Sequence, residues 1–356
     1  MRIAIVNDLR LAQAVLSMTI EAIPNGRIAW IANDGREALE HCRRDRPDLI
    51  LMDMVMPVMD GAVATRAIMK ECPCPILVVT STIEGNLALV YEALGAGAID
   101  AVHTPTLGPG NMLVGGDVLA KKVRVAIMSA ESSGSATPQS RAPSPARASA
   151  AAVTPNRSDA AAPLVLIGAS TGGPHALAEV LRGLSPAAPS CCSMIVQHID
   201  LAYVDGLASW LTGEIGRKVR VACEGELPAK GETIVAATTD HMLLRDGKVR
   251  YRNLPGDDLH RPSVDHFFES AARDQGPPGV AILLTGMGRD GAEGLRALRD
   301  ANWHTIAQDE ATSIVWGMPG TAVALGGAIQ VLRLDSIGAA AGRVILGSGC
   351  PGGRGR

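Results

Sequence analysis

Leu164-Val-Leu-Ile-Gly168-Ala-Ser170-Thr-Gly-Gly-Pro174 is the stretch on which the fold turns. Apolar residues 164–167 have strand length, run straight into a glycine-rich turn, and are followed by a helical pattern over 175–184. A buried strand that feeds a helix through a tight turn is the unit of a parallel sheet covered on both faces. The unit recurs downstream. Residues 194–196, 280–284 and 328–332 read as further buried strands, with helices expected near 205–214, 264–273 and 292–300. A doubly wound, Rossmann-like domain is therefore expected over 164–345. Residues 219–252 are richer in β and turn residues and predict a small ribbon, with Asp246-Gly247 as a hairpin turn.

The N-terminal half has the same grammar. Residues 3–6, 28–31, 49–52, 76–79 and 99–102 are strand-length apolar runs, and Leu11, Val15, Met18 and Ala22 fall on one face of the first helix. Five strand-helix pairs ending near residue 128 predict a flavodoxin-like (βα)5 domain with its first and third strands side by side. Between the halves, residues 129–163 are mostly Ser, Ala, Pro, Thr, Gly, Arg and Gln. Such a segment buries too little to offset its ordering entropy and predicts a flexible linker, and the Gly/Pro/Arg tail over 346–356 is expected to fray.

A chain of 356 residues that is 47% hydrophobic can fill two cores, and at 3% aromatic it must fill them with aliphatic side chains. A net charge of −3 gives no electrostatic footprint for nucleic acid or an anionic membrane. The seven cysteines lack metal-ligand spacing and predict reduced, buried thiols. No stretch has the form of a signal peptide or a membrane span, so a cytoplasmic, soluble protein with no membrane insertion is expected.

Two groups of polar residues carry chemistry. Asp8 follows the first strand and Asp53 ends the third, so both carboxylates meet at the carboxyl edge where the strand order reverses; Thr80 places a hydroxyl at its rim. Hard oxygen donors there suit Mg²⁺. The alternative is that Asp8 caps the first helix and Asp53 merely ends a strand. Leu49-Ile-Leu-Met-Asp53-Met-Val-Met-Pro57-Val-Met-Asp-Gly61 closely resembles the phosphoacceptor strand and loop of response-regulator receiver domains. The resemblance implies phosphorylation of Asp53 by a histidine kinase, Thr80 as switch hydroxyl, and Mg²⁺ held by Asp8, Asp53 and Val55. Asn7 stands where that family usually has a second acid, and Thr104 where it has a lysine before proline. Both departures weaken the expected grip on Mg²⁺ and phosphate.

In the second half, Ser170 sits on a strand-to-helix turn, as an acyl-transfer nucleophile requires, although such a turn also suits a phosphate. His198 follows the strand at 194–196, and Asp290 lies in Leu283-Leu-Thr-Gly-Met-Gly-Arg-Asp290 after the strand at 280–284. Asp290 with Glu293 also has the form of a capping box for the next helix. Three such groups, each just past a parallel strand, favour a Ser-His-Asp hydrolase over three unrelated roles.

Together with Gln197-His198, His260-Arg-Pro-Ser-Val-Asp265 and Val315-Trp-Gly-Met-Pro319, these stretches resemble the catalytic domain of the CheB chemotaxis methylesterases. The resemblance implies hydrolysis of glutamyl methyl esters on methyl-accepting receptors, with deamidation of receptor glutamines. It makes Ser170 the nucleophile, His198 the base and Asp290 its orienting acid. Thr171 and Met287 fall near the oxyanion site, and His260 matches an active-site histidine outside the triad. His241 and His266 are expected to be structural. Asn7 and Thr104 resemble a branch of the family in surface-sensing pathways that control a diguanylate cyclase. A scaffold that has lost its chemistry, and a hydrolase for small esters, are the competing readings.

Overall fold

A computed structural model describes residues 1–81, 87–108, 110, 112–133, 162–254, 261–274 and 276–347. Its first half pairs β1 (Arg2–Val6), β2 (Arg27–Ala32), β3 (Leu49–Met52), β4 (Ile76–Thr80) and β5 (Asp100–His103) in the order β2-β1-β3-β4-β5, all parallel. β1, β3 and β4 are apolar almost throughout and buried on both faces, as a sheet covered by helices demands. The helices are α1 (Arg10–Glu21), α2 (Gly35–Arg44), α3 (Gly61–Glu71), α4 (Leu87–Gly95) and α5 (Gly116–Ser133).

Three expectations change here. The buried face of α1 is Val15, Leu16, Thr19 and Ile20, while Leu11 and Met18 are exposed; the spacing picked out a stripe rotated toward solvent. A short antiparallel hairpin, β6 (Thr106–Leu107) with β7 (Leu113–Val114), intervenes before α5. And α5 continues to Ser133, five residues past the expected boundary at 128. Most of the expected linker, 134–161, lies outside the described residues, as does the tail from 348 onward.

The second half builds a seven-stranded sheet in the order β10-β11-β9-β8-β14-β15-β16. Its strands are β8 (Leu164–Ala169), β9 (Cys192–Gln197), β10 (Val219–Val221), β11 (Thr233–Val235), β14 (Val280–Leu283), β15 (His304–Gln308) and β16 (Gln330–Leu332). All neighbours are parallel. The expected ribbon is present only in part. β12 (His241–Arg245) and β13 (Lys248–Arg252) form it, turning at Asp246 and Gly247 with φ of 53° and 69°, the left-handed pair a tight hairpin needs. β10 and β11 instead join the main sheet. The helices are α6 (Gly173–Leu184), α7 (Val204–Ile215), α8 (Val264–Arg273), α9 (Ala292–Asp300), α10 (Met318–Ala324) and α11 (Leu334–Gly347).

The two halves touch. Tyr91 of α4 stacks on Trp210 of α7 at 5.8 Å between ring centroids, and its hydroxyl donates to the Tyr203 carbonyl at 2.7 Å. The Gly172 N–H donates to the Ile99 carbonyl at 3.0 Å. Among the described residues no helix is long and apolar enough to cross a membrane. Six cysteines are free thiols there, and Cys223 is exposed, against the expectation of uniformly buried thiols.

Candidate active site

β9, β8 and β14 are consecutive in the second sheet, and the order of strand addition reverses about β8. Their carboxyl ends carry His198, Ser170 and the Thr285–Asp290 loop, so the sheet itself gathers the three candidates at a topological switch point. Ser170 follows β8 and is 8% exposed. Its N–H donates to the Thr285 carbonyl at 3.0 Å, and its own carbonyl accepts from Gly173 N–H at 2.7 Å. The turn closes because Gly172 adopts φ of 78° as the N-cap of α6. The neighbouring loop comes so close that a Cβ on Gly286 would stand 2.7 Å from the Ser170 Cβ. Ser170 thus lies at a helix N-terminus, where N–H groups and the dipole favour developing negative charge.

His198 Nε2 and Asp290 Oδ2 are 2.7 Å apart, with both side chains largely buried. Asp290 does not cap the helix that follows it, since Gly291 holds that position without a side chain. It instead accepts from Ser263 Oγ (2.8 Å), Val264 N–H (2.8 Å) and Asp265 N–H (2.9 Å) at the start of α8. Burial pushes the Asp290 carboxyl up, but His198 and these N–H groups more than offset it and hold it well below the usual carboxylate range.

Several supports were not singled out from the sequence. Gln197 is buried, and its Nε2 donates to the carbonyls of Ser170 (2.8 Å) and His198 (3.1 Å). Thr285 Oγ1 donates to the Thr171 carbonyl at 3.0 Å, while Gln308 Oε1 accepts from Thr285 N–H at 2.8 Å. Ser263 lay inside a recognised motif, yet its partner is 27 residues away and no spacing discloses it. His241 is buried behind the site; its Nδ1 accepts from Ser263 N–H at 3.2 Å and its ring meets His266 edge-on at 4.5 Å.

Ser170, Thr171, His198 and Met287 line one side of a cavity of about 820 Å³ whose other side is the β5 and α5 region of the first half. Thr171 Oγ1 donates to Asp100 Oδ2 at 3.4 Å, and Lys122 pairs with the same carboxylate at 2.7 Å. His260 lies outside the described residues.

At the carboxyl edge of the first sheet, Asp53 is buried, with Asn7 Nδ2 donating to its Oδ2 at 3.1 Å and Met54 N–H to its Oδ1 at 2.8 Å. Burial, with the charge of Asp8, pushes its carboxyl up to about 6. Asp8 does not cap α1, whose N-cap is Leu9 without a side-chain bond. Thr80 is buried at the end of β4 and Val55 is exposed on the adjacent loop. Thr104 is buried too, and its hydroxyl meets no hydrogen-bond partner among the described residues.

The chain matches the family model for the CheB methylesterase over residues 165–341 and that for the response regulator receiver domain over residues 3–108. It is 46% identical to the protein-glutamate methylesterase/protein-glutamine glutaminase 4 of Burkholderia thailandensis, over 95% of both chains. It is 43% identical to protein-glutamate methylesterase/protein-glutamine glutaminase 3 of Pseudomonas aeruginosa, over 95% of this chain and 97% of that one. Among solved structures, the CheB methylesterase catalytic domain of Thermotoga maritima is 30% identical, with a TM-score of 0.47, and covers 52% of this chain and 98% of its own. Relatives matched along nearly their whole length, with both family models, place the chain in the CheB family, as a response-regulator carboxylic ester hydrolase with a flavodoxin-like receiver ahead of its catalytic domain.

Proposed function

We propose that this protein hydrolyses glutamyl methyl esters on methyl-accepting chemotaxis-type receptors, and deamidates glutamines there, in the cytoplasm and under control of a histidine kinase. The observation that carries the reading is the His198–Asp290 pair at 2.7 Å, set beside Ser170 on adjacent strand ends. In this scheme Ser170 Oγ attacks the ester carbonyl while His198 accepts its proton. With Nε2 held by Asp290, the proton passes through Nδ1. The oxyanion faces N–H groups around Thr171 and Met287. His198 then gives the proton to the departing methoxide, methanol leaves, and water attacks the acyl-serine to release the glutamate.

Residues 1–128 supply the switch in this reading, with Asp53 the phosphoacceptor and Thr80 the responding hydroxyl. The donor set fits Mg²⁺: Asp53 feels the charge of Asp8 and the Val55 backbone lies at the Asp53 carboxylate, so two hard carboxylates and the Val55 carbonyl would be the ligands. Bound there, the ion would neutralise charge on the incoming phosphoryl group. Among the described residues no cluster of three or more His, Cys, Asp or Glu gathers for a metal, so Mg²⁺ would rely on two carboxylates, a carbonyl and water.

The substrate class is tested by offering methylated receptor and a small aryl ester side by side. Methanol release from the receptor at a kcat/KM far above that for the small ester is expected. A preference for the small ester would contradict a receptor-directed role.

A further inference from the structure

Two half-buried aspartates are linked behind the imidazole, and the scheme above uses one of them. Asp265 lies in the first turn of α8, with its backbone N–H on Asp290 Oδ1 at 2.9 Å. Its own carboxylate reaches the neighbouring helix, where Oδ1 accepts from Gly294 N–H in the first turn of α9 at 2.7 Å. The caps are therefore crossed. Asp290, from the loop into α9, satisfies N–H groups at the start of α8, and Asp265, from α8, satisfies one at the start of α9. The helices meet closely: a Cβ on Gly294 would stand 2.9 Å from the Asp265 carbonyl oxygen.

We propose that Asp265 is a positioning residue for the triad: through the crossed caps it fixes the Asp290 carboxylate that orients His198, and its charge sets the acid side of the pH response. This rests on the Ser170–His198–Asp290 assignment above. Burial, with the charge of Asp290, pushes the Asp265 carboxyl up to about 7, while Gly294 and Gly291 N–H groups oppose the shift; Glu269, one turn on, adds like charge. The other charged or titratable neighbours have their own partners. Glu293 of α9 pairs with Arg289, and His241 of β12 meets Ser263 and His266. The ionised Asp265 adds negative charge behind Asp290 and so favours the imidazolium over the neutral base.

Asp265→Asn keeps an acceptor for Gly294 but removes that charge. Its acid limb in kcat/KM for methyl-ester hydrolysis should move to lower pH by about half a unit at most, because the wild-type carboxyl at about 7 is only partly ionised along that limb. Asp265→Glu keeps the charge on a longer arm; its limb should stay at the wild-type position while kcat falls as the cap is displaced. Melting curves at each pH separate folding loss from these effects. A wild-type profile and rate for Asp265→Asn, or a limb shifted equally in both variants, would overturn the proposal. Ser170→Ala and Asp290→Asn run alongside: if either keeps the wild-type rate, the triad assignment itself has failed.

Discussion

Ser170 and Asp290 differ in how many neighbours depend on them, and so in what their loss should do. Ser170→Ala deletes a single oxygen atom and leaves the Cβ in place, so it should melt like the wild type while kcat falls on the order of 10⁴-fold or more. A purified, folded variant with most of its esterase rate would remove Ser170 from the chemistry. Asp290 accepts from His198, Ser263, Val264 and Asp265. An amide turns a donor toward one of them and carries no charge for the imidazolium, so Asp290→Asn should lose both rate and melting temperature, with a stability cost of about 3–5 kcal/mol. Normal melting with a normal rate would deny the pairing. The three residues were legible because each follows an apolar strand. Gln197, Ser263 and Thr285 were not, because their partners lie far off in sequence and only the folded sheet edge brings them together.

Among the elements, strands buried on both faces were the easiest to foresee, since their apolar runs carry both the period and the length. Thr305 and Gln308 interrupt the apolar run of β15 and hide it in the sequence, each buried but satisfied by hydrogen bonds to the loops that flank β16 and β14. β10 and β11 do not separate from the ribbon in the sequence, because three-residue strands among turn residues show no period. The carboxyl ends of β1 and β3 carry a consequence for stability. The folded Asp53 carboxyl titrates near 6, above its ordinary range, so the native state holds a proton that the unfolded chain has lost. Its ionisation therefore costs stability as pH rises from about 4 through 6, by roughly 2–3 kcal/mol once complete. Asp53→Asn should raise the melting temperature at pH 7.5 and leave it unchanged near pH 4. Mg²⁺ should stabilise the wild type and not the variant. Equal melting of both proteins at every pH, with or without Mg²⁺, would contradict the account of this pocket.

At the scale of the whole molecule, the first domain stands over the mouth of the second. The Ile99 carbonyl takes the Gly172 N–H in the turn after Ser170, Asp100 takes the Thr171 hydroxyl, and Tyr91 stacks on Trp210. In the proposed function, a phosphoryl group on Asp53 would act by biasing these contacts. Trp210→Ala removes the stack outside the proposed triad, about 0.5–1.5 kcal/mol of interface, so activity without phosphodonor should rise between twofold and tenfold. Unchanged basal activity would separate this contact from regulation. The cross-domain pairing is not legible in the sequence, because no motif or spacing around Tyr91 or Trp210 signals a partner in the other half. The most direct measurement is methanol release from methylated receptor by the full chain, with and without a small phosphodonor, beside Ser170→Ala and Asp53→Ala. The account predicts a slow basal rate that phosphodonor raises in the wild type, no rise in Asp53→Ala, and no methanol from Ser170→Ala. Methanol released by Ser170→Ala at the wild-type rate, or none from the phosphorylated wild type, would contradict it.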